Sequence, residues 1–79
     1  MSKSAKIKSL LALKDVKSAD YVKVLGLARQ QALTTKYARE SFTSDDLIKL
    51  AELTGTTLAF NDKATGKPLI EFDLSDIQK

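Results

Sequence analysis

Ile7, Leu10 and Leu11 stand at i, i+3 and i+4, with Ala5 and Ala12 beside them and lysines filling much of the remaining surface. This spacing gathers the apolar side chains on one stripe, which predicts an amphipathic helix over roughly residues 4–14. It should end near Asp15, with Val16 turned back towards the core. A second, shorter helix is expected over roughly residues 18–25. Ser18 suits its N-cap and Asp20 its positive end, while Tyr21, Val24 and Leu25 form its stripe. Gly26 then supplies the residue that closes a helix at positive φ. A third helix, roughly residues 28–38, turns Leu27, Ala32 or Leu33, and Tyr37 inwards. Its opposite surface carries Arg29, Gln30, Gln31, Thr34, Thr35 and Lys36. Tyr37 is expected as a core aromatic with its hydroxyl at the surface. The fourth helix, roughly residues 44–54, has Ser44 as N-cap, Asp45 and Asp46 in its first turn, and a stripe of Leu47, Leu50, Ala51 and Leu53. Gly55 ends it.

From Thr56 the period changes to two. Leu58 and Phe60 alternate with Thr57, Ala59 and Asn61; Ile70, Phe72 and Leu74 alternate with Glu71 and Asp73. Two strands, roughly 57–61 and 68–74, are expected around the turn formers Asn61 to Lys67. Pro68 is tolerable at the start of the returning strand, and Ser75–Lys79 is expected to fray. The fold class is therefore α+β, mainly α: one domain over residues 1–79, four helices followed by a C-terminal β-hairpin. An isolated hairpin is marginal in water, so this one must pack on the helices or pair with a second copy.

The chain has no cysteine and no histidine. Disulfides, thiolate nucleophiles, imidazole bases and the usual zinc ligands are thereby excluded. There is no nucleophile–base set, no glycine loop to cradle a phosphate and no metal cluster. Neither enzymatic activity, a cofactor, a metal site nor a small-molecule ligand is expected. Asp45 and Asp46 are local charges that favour a helix N-terminus. Lys6, Lys8 and Lys14 interrupt the apolar residues near the start, which reads as neither a signal peptide nor a membrane span. A cytoplasmic location is expected.

The net charge of +3 conceals an asymmetry. Met1–Arg39 holds nine Lys/Arg against Asp15 and Asp20, a balance of +7, whereas Glu40–Lys79 holds four Lys against eight Asp/Glu, a balance of −4. A basic half suits a polyanionic partner, or else a set of solvated helix faces. Lys3, Lys6 and Lys8 suit either a basic arm or a solvated helix start.

The stretch from Lys17 to Arg39 is a short capped helix, a glycine turn and a polar-faced helix. That is the order of a helix-turn-helix, whose second helix lies in the major groove with its first residues at base edges. Arginine pairs bidentately with guanine and glutamine with adenine, so Arg29, Gln30 and Gln31 offer base-reading chemistry; Thr34 and Thr35 suit a thymine methyl or a phosphate. Lys17, Ser18, Lys23, Lys36 and Arg39 are candidates for DNA phosphate contacts. The competing reading of these residues is a solvated surface, because many three-helix cores contain this helix pair as packing alone.

The order of four helices, the segment LGLARQQALTTKYARESF and the following TSDDLIKLAELTGTTLAF resemble the Cro/C1-type (XRE-like) helix-turn-helix regulators. The chain looks like short phage- or mobile-element-like regulators of Gram-positive bacteria in particular, and the resemblance spans roughly residues 7–60. The hairpin is similar to the strands that Cro-like members add. Ser18 stands near the family's usual glutamine, Ala28 replaces its serine, and one extra residue follows Gly26. The resemblance implies a transcriptional repressor that binds double-stranded DNA at a short operator as a dimer. The alternative is a protein-interaction module on a repressor-like scaffold, an antirepressor or antitoxin-type partner, which the acidic C-terminal half favours. A homodimer formed through the hairpin would satisfy its exposed edge; otherwise the hairpin roofs the helices and Glu71 and Asp73 guard that edge.

Overall fold

The computed structural model describes residues 2–77. Four helices, α1 (Lys3–Leu13), α2 (Ser18–Val24), α3 (Gln30–Arg39) and α4 (Ser44–Thr54), precede strands β1 (Leu58–Asn61) and β2 (Pro68–Phe72) and a 3-10 turn at Leu74–Asp76. The architecture is α+β and mainly α. The expected order of elements holds, and the expected end residues shift at several places. Residues 75 and 76, expected to fray, belong to that turn, which Asp73 caps by accepting from the Ser75 N–H at 2.9 Å; residues 78 and 79 lie outside the described part.

The core is one cluster of Ile7, Leu11, Tyr21, Leu33, Phe42 and Leu50, with Leu10, Val16, Leu25, Leu27, Leu47 and Leu53 packed around it. Each helix contributes a stripe, so the four close around a shared centre. Phe42, in the α3–α4 loop, fills that centre. Its ring lies parallel to Tyr21 with centroids 6.4 Å apart and tilts against Tyr37 at 5.4 Å. The stripe of α2 differs from expectation. Tyr21 is fully buried and Leu25 half-buried, but Val24 is exposed and Val22 packs inwards instead. At 100° per residue Val22 and Val24 fall on opposite sides of Tyr21, and the core lies on the Val22 side. In α4, Ile48 and Thr54 join Leu50 and Ala51 as the buried residues, with Leu47 and Leu53 at the margin.

Helix starts also moved. Lys17, not Ser18, occupies the N-cap of α2, and no side chain caps it. Thr43, not Ser44, caps α4: its hydroxyl accepts from the Asp46 N–H at 3.1 Å while the Asp46 carboxylate accepts from the Thr43 N–H at 3.0 Å. This reciprocal capping box satisfies two backbone donors that the helix leaves unpaired. Helix α3 begins at Gln30 instead of Ala28, because Leu27 packs on the core outside the helix and Arg29 takes the extended N-cap conformation.

The hairpin is antiparallel, with Leu58 opposite Phe72 and Phe60 opposite Ile70, and its register shifts between Phe60 and Asn61. Leu58 and Phe72 are half-buried at its base, near Leu47 and Ile48 of α4. Farther out, Phe60, Leu69 and Ile70 are exposed.

Candidate functional site

Leu33, fully buried, and Tyr37 anchor α3 along one side. Gln30, Gln31, Thr34, Thr35, Ala38 and Arg39 are all exposed and together cover about half of its circumference. No acidic residue stands on this arc. Arg29 is exposed just ahead of it, with no side-chain bond to the helix start. Four of the five candidate base-reading residues, Gln30, Gln31, Thr34 and Thr35, are thus contiguous on one outward surface, and Arg29 stands exposed at its start.

The two threonines have already placed their hydroxyl protons. Thr34 Oγ1 donates to the Gln30 carbonyl at 3.3 Å and Thr35 Oγ1 to the Gln31 carbonyl at 3.0 Å. Such back-bonding fixes the rotamers and leaves methyl groups as the free feature. The structure therefore equips them for apolar contact rather than for donating to an anion.

Four of the candidate phosphate residues, Lys17, Ser18, Lys23 and Arg39, are exposed. Lys17 and Ser18 begin α2, Lys23 is in its last turn, and Arg39 closes α3. Lys36 is different. Its ammonium bonds the Asp46 carboxylate at 2.8 Å and the Ser41 carbonyl at 3.3 Å, and it lies 5.8 Å from the Phe42 ring centre. It was expected on the polar surface, but at 240° from Gln30 it turns towards α4 and ties α3 to that helix. Burial opposes the charge of Asp46, yet the Lys36 hydrogen bond and the Thr43 N–H outweigh it and hold this carboxyl below the usual range.

Two further features border α3. Ser4 of α1 donates its hydroxyl to the Tyr37 carbonyl at 2.6 Å, and its N–H donates to Glu40 Oε1 at 3.1 Å. This bond to the Ser4 backbone, with help from Ser2, keeps Glu40 ionised below the ordinary carboxylate range. One turn later, Lys8 sets its ammonium 4.7 Å from the Tyr37 ring centre. Lys8, Ser18, Gln30, Thr34, Tyr37 and Ala38 line a groove of about 420 Å³. The lysines before Lys14 gave no sign of this, since it depends on how α1 lies across α3. The Tyr37 hydroxyl, expected at the surface, is buried and unpartnered among the described residues.

On the far side, Leu47, Ile48, Leu58, Phe60 and Phe72 line an apolar groove of about 490 Å³ between α4 and the hairpin, with Asp45 and Asp76 at its rim. No described helix is long and apolar enough to cross a membrane. Comparison with protein-family models, with curated proteins and with solved structures finds no match.

Proposed function

We propose that the protein is a sequence-specific regulator of transcription, a repressor that binds double-stranded DNA as a homodimer. In this reading α3 enters the major groove, and Arg29, Gln31 and Thr35 meet base edges, with Gln30 and Thr34 beside them. Lys17, Ser18, Lys23 and Arg39 hold phosphates. Lys36 is omitted, because its ammonium serves Asp46 within the domain. The observation that carries the reading is the acid-free, amide- and methyl-rich outer half of α3, flanked by arginines at both ends. An ordinary solvated helix surface favours Glu and Lys, and the groove admits one such helix.

The test is selection of bound sites from random duplexes, repeated with Gln31→Ala and Lys23→Ala. Loss of a base-reading amide changes the preferred sequence, whereas loss of a phosphate-holding lysine weakens all sequences alike. Absence of any selected sequence from the unaltered protein overturns the reading. The exposed apolar residues of the hairpin favour a second reading, a module that binds another protein. Salt separates the two: affinity for a duplex drops steeply between about 50 and 200 mM salt, while an apolar protein interface scarcely responds.

A further inference from the structure

We infer that the groove between α1 and α3 is a phosphodiester site in which Lys8 grips the strand bordering the major groove that α3 reads. The inference rests on the proposed DNA-binding function and adds a residue and a division of labour to it. Ser4 and Lys8 are one turn apart and share a helix face. Because Ser4 is fastened to the Tyr37 carbonyl and to Glu40, the exposed Lys8 is carried to the Tyr37 ring. An aromatic face attracts a cation, so the lysine is held beside α3 before any ligand arrives.

The remaining lining residues suit an anion. Ser18 brings a hydroxyl, Gln30 an amide, and no carboxylate among the described residues lines the groove. At about 420 Å³ it is roomy enough for a phosphate with its water. The exposed arc of α3 then divides into two rows. Gln30, Thr34 and Ala38 border the groove and the backbone it would hold, while Gln31 and Thr35, about 100° further round, point away from α1. Gln30 accordingly belongs with the phosphate-holding residues, and base reading falls to Gln31, Thr35 and Arg29.

The test compares Lys8→Gln with Lys6→Gln. Both remove one positive charge from α1, but Lys6 lines a groove facing Leu50 and Thr56 on the opposite side. Binding of a labelled duplex by the full chain is followed by anisotropy across about 50–200 mM salt. In Lys8→Gln the slope of log K against log salt is expected to flatten by about 0.9, the release of one counterion, with affinity several-fold weaker and the selected sequence unchanged. Lys6→Gln is expected to keep the original slope. If the two variants behave alike, the groove is no phosphate site, whatever the protein binds. If the unaltered protein has no affinity for any duplex, the functional proposal itself fails, and this inference with it.

Discussion

Tyr21 and Tyr37 press their rings against Phe42 from two directions, but their hydroxyls end in different surroundings. Tyr21 donates to the Asp46 carbonyl at 3.0 Å, whereas the Tyr37 hydroxyl is buried without a partner among the described residues. Burial, then the nearby Asp46 and Tyr37, raise the Tyr21 phenol far above its usual value, and burial also raises Tyr37. Both therefore stay neutral, and what differs is the bond. Removing a satisfied buried donor loses about 1 kcal/mol and leaves a carbonyl unpaired, while removing an unsatisfied hydroxyl recovers a desolvation penalty. Tyr21→Phe is expected to lower the urea unfolding free energy by about 1–2 kcal/mol, and Tyr37→Phe to leave it unchanged or raise it by about 1 kcal/mol. Asp46 makes a sharper case, because one carboxylate caps α4 and holds Lys36. Its pKa is lowered in the fold, so its contribution is complete above the unfolded value, about 3.9, and vanishes as pH falls through the folded value. Asp46→Asn should lose about 2 kcal/mol at neutral pH. The gap between it and the unaltered protein should close between about pH 5 and pH 2 in parallel urea titrations.

All four helices end in the same way. Asp15, Gly26, Glu40 and Gly55 have positive φ of 54°, 71°, 53° and 67°. At each, this residue's N–H bonds the carbonyl three back and the next N–H the carbonyl five back, as Val16 does to Leu11 at 2.8 Å and Thr56 to Ala51 at 2.9 Å. Those paired bonds define the Schellman ending. Glycine marked two of these endings in the sequence, and the first helix was also expected to end near Asp15, but neither Asp15 nor Glu40 carries the signal of a positive-φ cap. Asp15 makes no side-chain bond among the described residues and sits in a conformation that costs a residue with a Cβ about 1 kcal/mol. Asp15→Gly is expected to stabilise the protein by about 0.5 kcal/mol in the same assay, a fraction being lost to the freer unfolded chain. Glu40→Gly gains nothing comparable, because it severs the bond to Ser4. The helices themselves were legible because their apolar stripes repeat at the helical period. Two of their starts were not: at α4 the neighbouring hydroxyls of Thr43 and Ser44 compete for one cap, and at α2 the N-cap Lys17 makes no side-chain bond that would mark it. Lys36 and Lys8 were illegible for a further reason: the local pattern gives a residue's angle around its own helix, whereas their partners, Asp46 and Tyr37, come from other helices.

At the scale of the whole molecule the unresolved weight lies in the hairpin. Pro68, Leu69, Ile70 and Glu71 of β2 are exposed in succession, and successive strand residues face opposite sides. Leu69 and Ile70, 65% and 58% exposed, thus present apolar side chains on both faces, which a strand serving only as a roof has no reason to do. Phe60 adds to the Ile70 face, opposite it in the register. Patches of this kind on small soluble proteins mark interfaces, and the charges suggest a second copy as occupant. Lys63 and Lys67 stand in the hairpin turn, while Asp45 and Asp76 rim the apolar groove on α4. Reciprocal docking of each copy's hairpin turn against the rim of the other copy's groove would set the lysines of each beside the acids of the other and bring the unpaired strand edges together. A DNA-binding dimer needs its two recognition helices about 34 Å apart, one turn of DNA. Sedimentation equilibrium is expected to give a dimer, and Ile70→Asp a monomer with the helical circular dichroism of the parent, since that side chain lies outside the core. The same variant should bind a half-site as well as before and lose its preference for two half-sites one turn apart. Lys67→Glu, which leaves the apolar residues in place, should weaken the dimer and regain it when combined with Asp45→Lys. A parent chain that sediments as a monomer at all concentrations would leave the hairpin as a roof, and DNA recognition would then rest on a single α3.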